Sequence, residues 1–403
     1  MPRHNHFRHQ QYIPPASTQY ELVAPNGAPW KPQQLVTNTA NAAHQIRRAN
    51  VVGILLIHGT FVGTDSLGLF RKLARIWQPG GDWLQQASKQ LLDAIAQDAG
   101  NYTPQYAEFL EQAVNQDGGP HIPVRLFSWS GENHHLGRAD GAIQLLHQLT
   151  QWQQLRPGRI LCWGHSHGGN LLAILTNLLG SSQRVRQRFL KTISRFYRWS
   201  GDHAVAHDTW RAMRKLLQQE AHIFPDHHFD MVTFGTPIRY GWDTGIATRL
   251  LHFVHHRRCA DRRPDQAPYP PTAGDFLQAT HGDCVQQFGI AGTNWSPTVF
   301  SWRARRADRR LHRLLQQGVR SRDLLRHLEQ GGRVAEDGHT LLVDYGDPSS
   351  QRVQHLGGHS IYTRLEWLAF HLNEVTRRLY SPPETPGSAT AAHQVDSNRT
   401  STE

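Results

Sequence analysis

One stretch, RILCWGHSHGGNLLAIL from Arg159 to Leu175, constrains the fold more than any other part of the chain. A short apolar run, Ile160 to Trp163, enters the turn Gly164-His165-Ser166-His167-Gly168, and an apolar helical pattern begins at Asn170. A strand that reverses so sharply into a helix forces the central residue of the turn into a strained backbone conformation. Gly164 and Gly168 fall where side chains would collide with neighbouring backbone. The result lifts the Ser166 hydroxyl above the sheet edge, near the positive end of the following helix. G-x-S-x-G between a strand and a helix is the pattern of an activated serine, which makes Ser166 the candidate nucleophile. A chance glycine-rich turn is the competing reading.

Other short apolar runs lie at Val51 to Ile57, Ile122 to Phe127, Met231 to Phe234, Leu250 to His255 and Thr340 to Val343. Between and after them come helical patterns at Ser66 to Trp77, Trp83 to Ala96, Gly141 to Trp152, Asn170 to Leu179 and Ile361 to Leu379. Such alternation predicts an α/β fold: a mostly parallel central sheet with helices on both faces. Two further helical stretches, Val185 to Glu220 and Arg309 to Leu328, do not fit it and read as insertions, at about 181–228 and 285–338, that could cap a site. Five prolines between Pro14 and Pro32 break any periodicity in 1–48, which reads as an irregular extension wrapping a domain over 49–380; residues 381–403 read as a disordered tail.

The 403 residues are ample for a full core. No apolar run reaches the length of a membrane span, and MPRHNHFRHQQYIPP lacks the apolar centre of a secretory signal, so a soluble, cytoplasmic protein is expected. Cys162, Cys259 and Cys284 have no paired spacing, which argues against a disulfide framework or a zinc knuckle. The formal charge of +11 is partly local: nine arginines lie between Arg303 and Arg326, against Asp308 and Asp323. Leu311, Leu314, Leu315 and Val319 form a stripe there, so the segment either holds the protein against an anionic membrane or acidic partner, or packs its leucines on the core. Nucleic-acid binding has the charge but no recognised module.

A second signal is NVVGILLIHGTF, in which a buried strand ends at Ile57 before His58, Gly59, Thr60 and Phe61. Acyl transfer needs preorganised N–H donors for the developing oxyanion, and one usually comes from a loop at this point. The Thr60 amide is the candidate, with Phe61 as its neighbour alternative and the His167 amide as the partner donor.

Taken together, ILLIHGTF, RLFSWSGEN at 125–133, GHSHGGN at 164–170 and MVTFGTP at 231–237 resemble the α/β-hydrolase superfamily, especially its lipase-like members. The resemblance implies an eight-stranded type of sheet, the order serine, acid, histidine along the chain, and lipase-like or esterase-like hydrolysis of carboxylic esters without a metal or organic cofactor. The general base then sits late in the chain. His359, in VQHLGGHSIYTRLEWL, is the candidate, with His355 and His339 as rivals. For the orienting acid, Asp283 in HGDCV resembles the D-x-V segment of such relatives, while Asp261 and Asp243 stay open. Asp283 requires the chain from Arg257 to Thr280 to loop out and return.

His203 and His207 are spaced as two ligands on a helix face, but no third ligand accompanies them, and HNHFRH reads as an unstructured tract; neither is taken as a metal site. Phe189, Ile193, Phe196, Tyr197 and Trp210 in the first insertion offer apolar surface for a cover over an acyl chain, or core packing. A peptidase or thioesterase with the same three residues, and a catalytically inactive binding module, are the alternative functions.

Overall fold

The computed structural model describes residues 4–11, 18–25, 34–60, 101–152, 155–197, 204–219, 223–245, 247–270, 272, 275, 278–291, 294, 302–320, 323–346 and 358–381. Among the described residues seven strands form one sheet: β1 (Gln19–Val23), β2 (Val51–Ile57), β3 (Val124–Phe127), β4 (Gly158–His165), β5 (His227–Phe234), β6 (Ala247–His255) and β7 (His339–Val343). Their order is β1-β7-β6-β5-β4-β2-β3, and every neighbouring pair is parallel. The fold is α/β. Parallel strands need crossovers over the sheet faces, so both faces are covered and the central strands read as unbroken apolar runs.

Alternation along each strand divides the core. Leu55, Ile57, Ile160, Cys162 and Met231 pack on one face with α3 (His135–Gln151), α4 (His167–Gly180), α5 (Gln183–Tyr197), α6 (Ala204–Gln218) and α8 (Trp302–Leu315). On the other face Ile54, Leu56, Leu161, Trp163 and Val232 pack with α1 (Leu35–Arg48), α2 (Pro104–Asn115) and α10 (Leu368–Leu379). Two shorter helices, α7 (Cys284–Ala291) and α9 (Leu324–Gln330), lie in the excursions between β6 and β7.

The region 1–48, expected to be irregular, contributes β1 and α1. β1 is an edge strand of mixed exposure, QYELV, which offers no apolar run to recognise. The buried stripe of α1 is Leu35, Thr39, Ala42, Ala43 and Ile46, correctly spaced but built partly from small and polar side chains. Helix α2 was also not anticipated, although its start carries a legible signal: Thr103 accepts the Tyr106 N–H and Pro104 occupies the first turn. Within Ile361 to Leu379, two 3-10 turns over 361–363 and 365–367 precede α10. The helical patterns expected at Ser66 to Trp77 and Trp83 to Ala96, the tail 382–403, Phe61, His203 and His355 lie outside the described residues.

Both insertions pack on the core. Phe189 and Ile193 are fully buried, and Trp210 is buried with its Nε1–H donating to Asp140 at 2.6 Å. These residues are therefore core and not the exposed apolar cover considered above; nothing is described of the Phe196 and Tyr197 side chains. Leu311, Leu314 and Leu315 likewise face inward from α8, leaving Arg305, Arg306 and Arg309 solvated. No described helix is long and apolar enough to cross a membrane, and the three cysteines are unpaired.

Many of the histidines are interior. Burial holds His165 and His371 down to about 3, and His252 and His255 down to about 4, whereas in an unfolded chain each titrates near 6.5. Below that pH the unfolded state binds more protons than the native state, so stability is intact above about 6.5 and falls as the pH drops towards 4, at up to about 1.4 kcal/mol per pH unit for each such group. Urea unfolding followed between pH 7 and 4.5 is expected to show a steadily falling midpoint; a flat profile would mean that these imidazoles are not held neutral.

Candidate active site

The carboxyl ends of β2, β4, β5 and β6 lie side by side, the edge of a parallel sheet where such folds bind ligands. β4 runs directly into α4 through Ser166, whose backbone has φ 52° and ψ −130°, a region that a residue with a side chain enters only under constraint. The constraint comes from both sides. The Ser166 N–H donates to the Phe234 carbonyl at 2.8 Å, and the Thr236 hydroxyl donates to the Ser166 carbonyl at 2.8 Å. From β2, a side chain on Gly168 would lie 2.6 Å from the Ile57 carbonyl oxygen and 2.7 Å from that of His58, so the first turn of α4 sits directly against the end of β2. Gly59 approaches as closely: a Cβ there would meet the Ser166 Cβ at 2.6 Å and its Oγ at 3.2 Å.

This packing brings the loop that carries Thr60 against the serine at Gly59. The His58 ring fixes how the loop is turned. Its Nε2 accepts the Trp129 main-chain N–H at 3.0 Å, so the proton of the neutral ring is on Nδ1, which donates to the Gly59 carbonyl at 2.7 Å. Burial lowers the His58 pKa, in keeping with a neutral ring. Trp129 closes the clamp by donating its Nε1–H to the His58 carbonyl at 2.9 Å, with the two rings stacked. Because the peptide is planar and trans, pinning the Gly59 carbonyl towards His58 turns the Thr60 N–H to the opposite side. The His167 N–H, as the first of α4, has no partner within its own helix.

The acid and the base come from the end of the chain. After β6 the chain loops out and returns at an antiparallel bridge between Gly282 and His256, and the Asp283 N–H donates to the His255 carbonyl at 2.9 Å. Arg333, fully buried, ties the same point by donating to the main-chain carbonyls of His255 and Asp283. The Asp283 carboxylate lies 2.7 Å from His359 Nδ1, 2.9 Å from the Tyr362 hydroxyl and 2.8 Å from the Gln286 N–H. Burial pushes its pKa up, but the His359 charge, the His359 hydrogen bond and the Gln286 amide outweigh that and hold it below the ordinary carboxylate range. With Asp283 as acceptor, His359 carries a proton on Nδ1. Its Nε2 is buried and has no hydrogen-bond partner, which leaves an unengaged basic nitrogen in the interior.

His165 links this pair to the elbow. Its ring packs 4.7 Å from the His359 ring, its Nε2 is 3.1 Å from the His359 carbonyl, and the Cβ position of Gly59 is 3.4 Å from its Nδ1 and 3.2 Å from the Ser166 hydroxyl. Burial first, and repulsion from His359 second, take His165 down to about 3, so it is a neutral support and not a second base. The rivals lie elsewhere. Asp243 contacts His4 at 3.5 Å and the Gly245 N–H, Asp261 is exposed in the loop after β6, and His339 begins β7, 3.4 Å from Glu21.

His58, Trp129, His165, Thr236, Arg333 and Tyr362 went unassigned in the sequence. His58 and Trp129 sit inside two of the quoted motifs, and Tyr362 follows His359 by three residues, one 3-10 turn away. Comparison with protein families, with curated proteins and with solved structures finds no match to the chain.

The close approach at Gly168 has a measurable consequence. Helix propensity alone favours Gly168→Ala by up to about 1 kcal/mol. A Cβ pressed against two main-chain oxygens reverses the sign, with an expected destabilisation of about 1–3 kcal/mol in urea unfolding. A neutral or stabilising substitution would show that α4 does not bear on β2 as described.

Proposed function

We propose that the chain is a serine hydrolase of the α/β-hydrolase superfamily that cleaves carboxylic esters through an acyl-enzyme on Ser166. One observation carries the reading: a serine in strained backbone between strand and helix shares a packed site with a buried imidazole whose Nδ1 is engaged by Asp283 and whose Nε2 is unengaged. The nucleophile-elbow sequence and the chain order serine, aspartate, histidine accord with it.

In this mechanism Ser166 Oγ attacks the ester carbonyl carbon and passes its proton to His359 Nε2. Asp283 keeps the ring in the tautomer with Nδ1–H and stabilises the imidazolium; it does not take the proton. The oxyanion is held by the Thr60 and His167 N–H groups, the first turned by the His58 clamp and the second set at the start of α4. His359 then protonates the departing alcohol, and water, deprotonated by the same nitrogen, releases the acid from Ser166. Of the residues that suggested a cover for a long acyl chain, Phe189, Ile193 and Trp210 are core residues of α5 and α6, so no preference for lipids is drawn from them. Exposed Arg305, Arg306 and Arg309 of α8 could meet an anionic surface or acidic partner.

A fluorophosphonate probe followed by peptide mass spectrometry tests the reading. Wild-type protein is expected to gain one adduct, on Ser166, and Ser166→Ala none. On p-nitrophenyl esters Asp283→Asn is expected to lower kcat by about 10³–10⁴. Wild-type protein that neither reacts with the probe nor cleaves esters of any chain length would instead indicate an inactive binding module.

A further inference from the structure

Away from the serine, residues 5–9, α5 and the carboxyl end of α8 with its following turn line a half-open cavity of about 660 Å³. Its wall is fixed on the amino-terminal side. The His4 N–H donates to the Gly180 carbonyl at 3.0 Å, the Ser182 N–H to the His4 carbonyl at 2.7 Å, the Arg8 N–H to Asn177 Oδ1 at 2.7 Å, and Phe7 is buried against Phe189. The opposite wall is fixed through His312. Its Nε2–H donates to the Val319 carbonyl at 2.9 Å, so its Nδ1 accepts from His135 Nε2–H, and His135 Nδ1 in turn accepts the Tyr240 hydroxyl proton at 2.8 Å.

The charged side chains of the lining are of one sign, Arg188 from α5, Arg313 from α8 and Arg320 from the turn; they stand beside the imidazoles of His6, His9 and His312, with no carboxylate among the described lining residues. Some exposed arginines elsewhere pair with acids, as Arg211 does with Asp208 and Arg377 with Glu374. Among the described residues the Arg188, Arg313 and Arg320 guanidiniums form no ion pair; Asp323 accepts only the main-chain N–H of Arg320, at 3.3 Å. Three guanidiniums gathered on one hollow repel one another, and a bound anion removes that repulsion while satisfying their planar donor forks.

We propose that this cavity binds a small soluble molecule bearing two or more linked phosphoryl groups, anchored by Arg188, Arg313 and Arg320. Three positive charges from three separate elements match a multiply charged anion better than a single carboxylate. The volume is that of a small-molecule site. A membrane would instead address the exposed Arg305, Arg306 and Arg309 of α8, which do not line the cavity.

Isothermal titration of the full chain with inorganic tripolyphosphate tests the proposal. The expected result is saturable binding of one ligand per chain, weakened at least about tenfold in Arg313→Ala/Arg320→Ala, the equivalent of about 1.4 kcal/mol. Arg313→Lys/Arg320→Lys keeps the charge and the exposed stems and is expected to lose part of the affinity, separating a folding defect from loss of the forks. Arg305→Ala/Arg306→Ala is expected to bind as the wild type does. Ser166→Ala is also expected to bind unchanged, so the outcome does not depend on the hydrolase reading. Absence of saturable binding, equal weakening by the Arg305→Ala/Arg306→Ala pair, or retention only on phosphatidylserine vesicles would each overturn the proposal.

Discussion

The backbone of Ser166 is the constraint on which the rest of the site depends. A serine held at φ 52° would relax to an ordinary conformation if its neighbours allowed it. They do not, because it is gripped from both adjacent strands. β5 and its following loop bind its N–H and its carbonyl through Phe234 and Thr236, while from the other side the end of β2 abuts Gly168, and Gly59, just after it, abuts Ser166. The strand order β2-β4-β5 is thus a functional feature: it places a fixed wall on each side of one peptide unit. The same parallel order brings the Gly59–Thr60 loop and the return of the chain at Asp283 to one sheet edge.

A second constraint is electrical. Asp283 is wholly buried, and an isolated carboxylate there would take up a proton. Three donors, from His359, Tyr362 and Gln286, keep it charged, while Arg333 fixes its backbone without touching the carboxylate. The surrounding rings are arranged as neutral supports. His58 is fixed in one tautomer by Trp129, and His165 is too deeply buried to accept a proton in the physiological range. Among the imidazoles packed around the elbow, His359 is thus the one whose proton on Nδ1 is held by a carboxylate while Nε2 is unengaged.

How much of this could be read in advance follows from the same physics. Strands β2, β4, β5, β6 and β7 are short apolar runs because both of their faces are covered, so each left a mark in the sequence. β1 left none, since an edge strand needs no continuous apolar run, and the stripe of α1 was concealed by Thr39 and two alanines. The elbow was legible because its spacing is dictated locally. The choice of Asp283 over Asp243 and Asp261 was only partly so, because it turns on a loop returning to the end of β6. Tyr362, Arg333 and Thr236 act on groups distant in sequence, and although Thr236 and Tyr362 lie in quoted segments, nothing local announces which atoms they hold. The apolar residues of α5 and α6 show the converse limit: a stripe that could cover a ligand is the same stripe that could pack on a core, and here Phe189, Ile193 and Trp210 pack on the core.

The most direct measurement is a crystal structure of the chain reacted with a small alkyl fluorophosphonate. The account predicts phosphorus bonded to Ser166 Oγ, its phosphoryl oxygen within about 3 Å of the Thr60 and His167 nitrogens, and His359 Nε2 within hydrogen-bond reach of an ester oxygen on phosphorus. A phosphoryl oxygen turned away from both amides, with the His359 ring out of reach of the adduct, would contradict it.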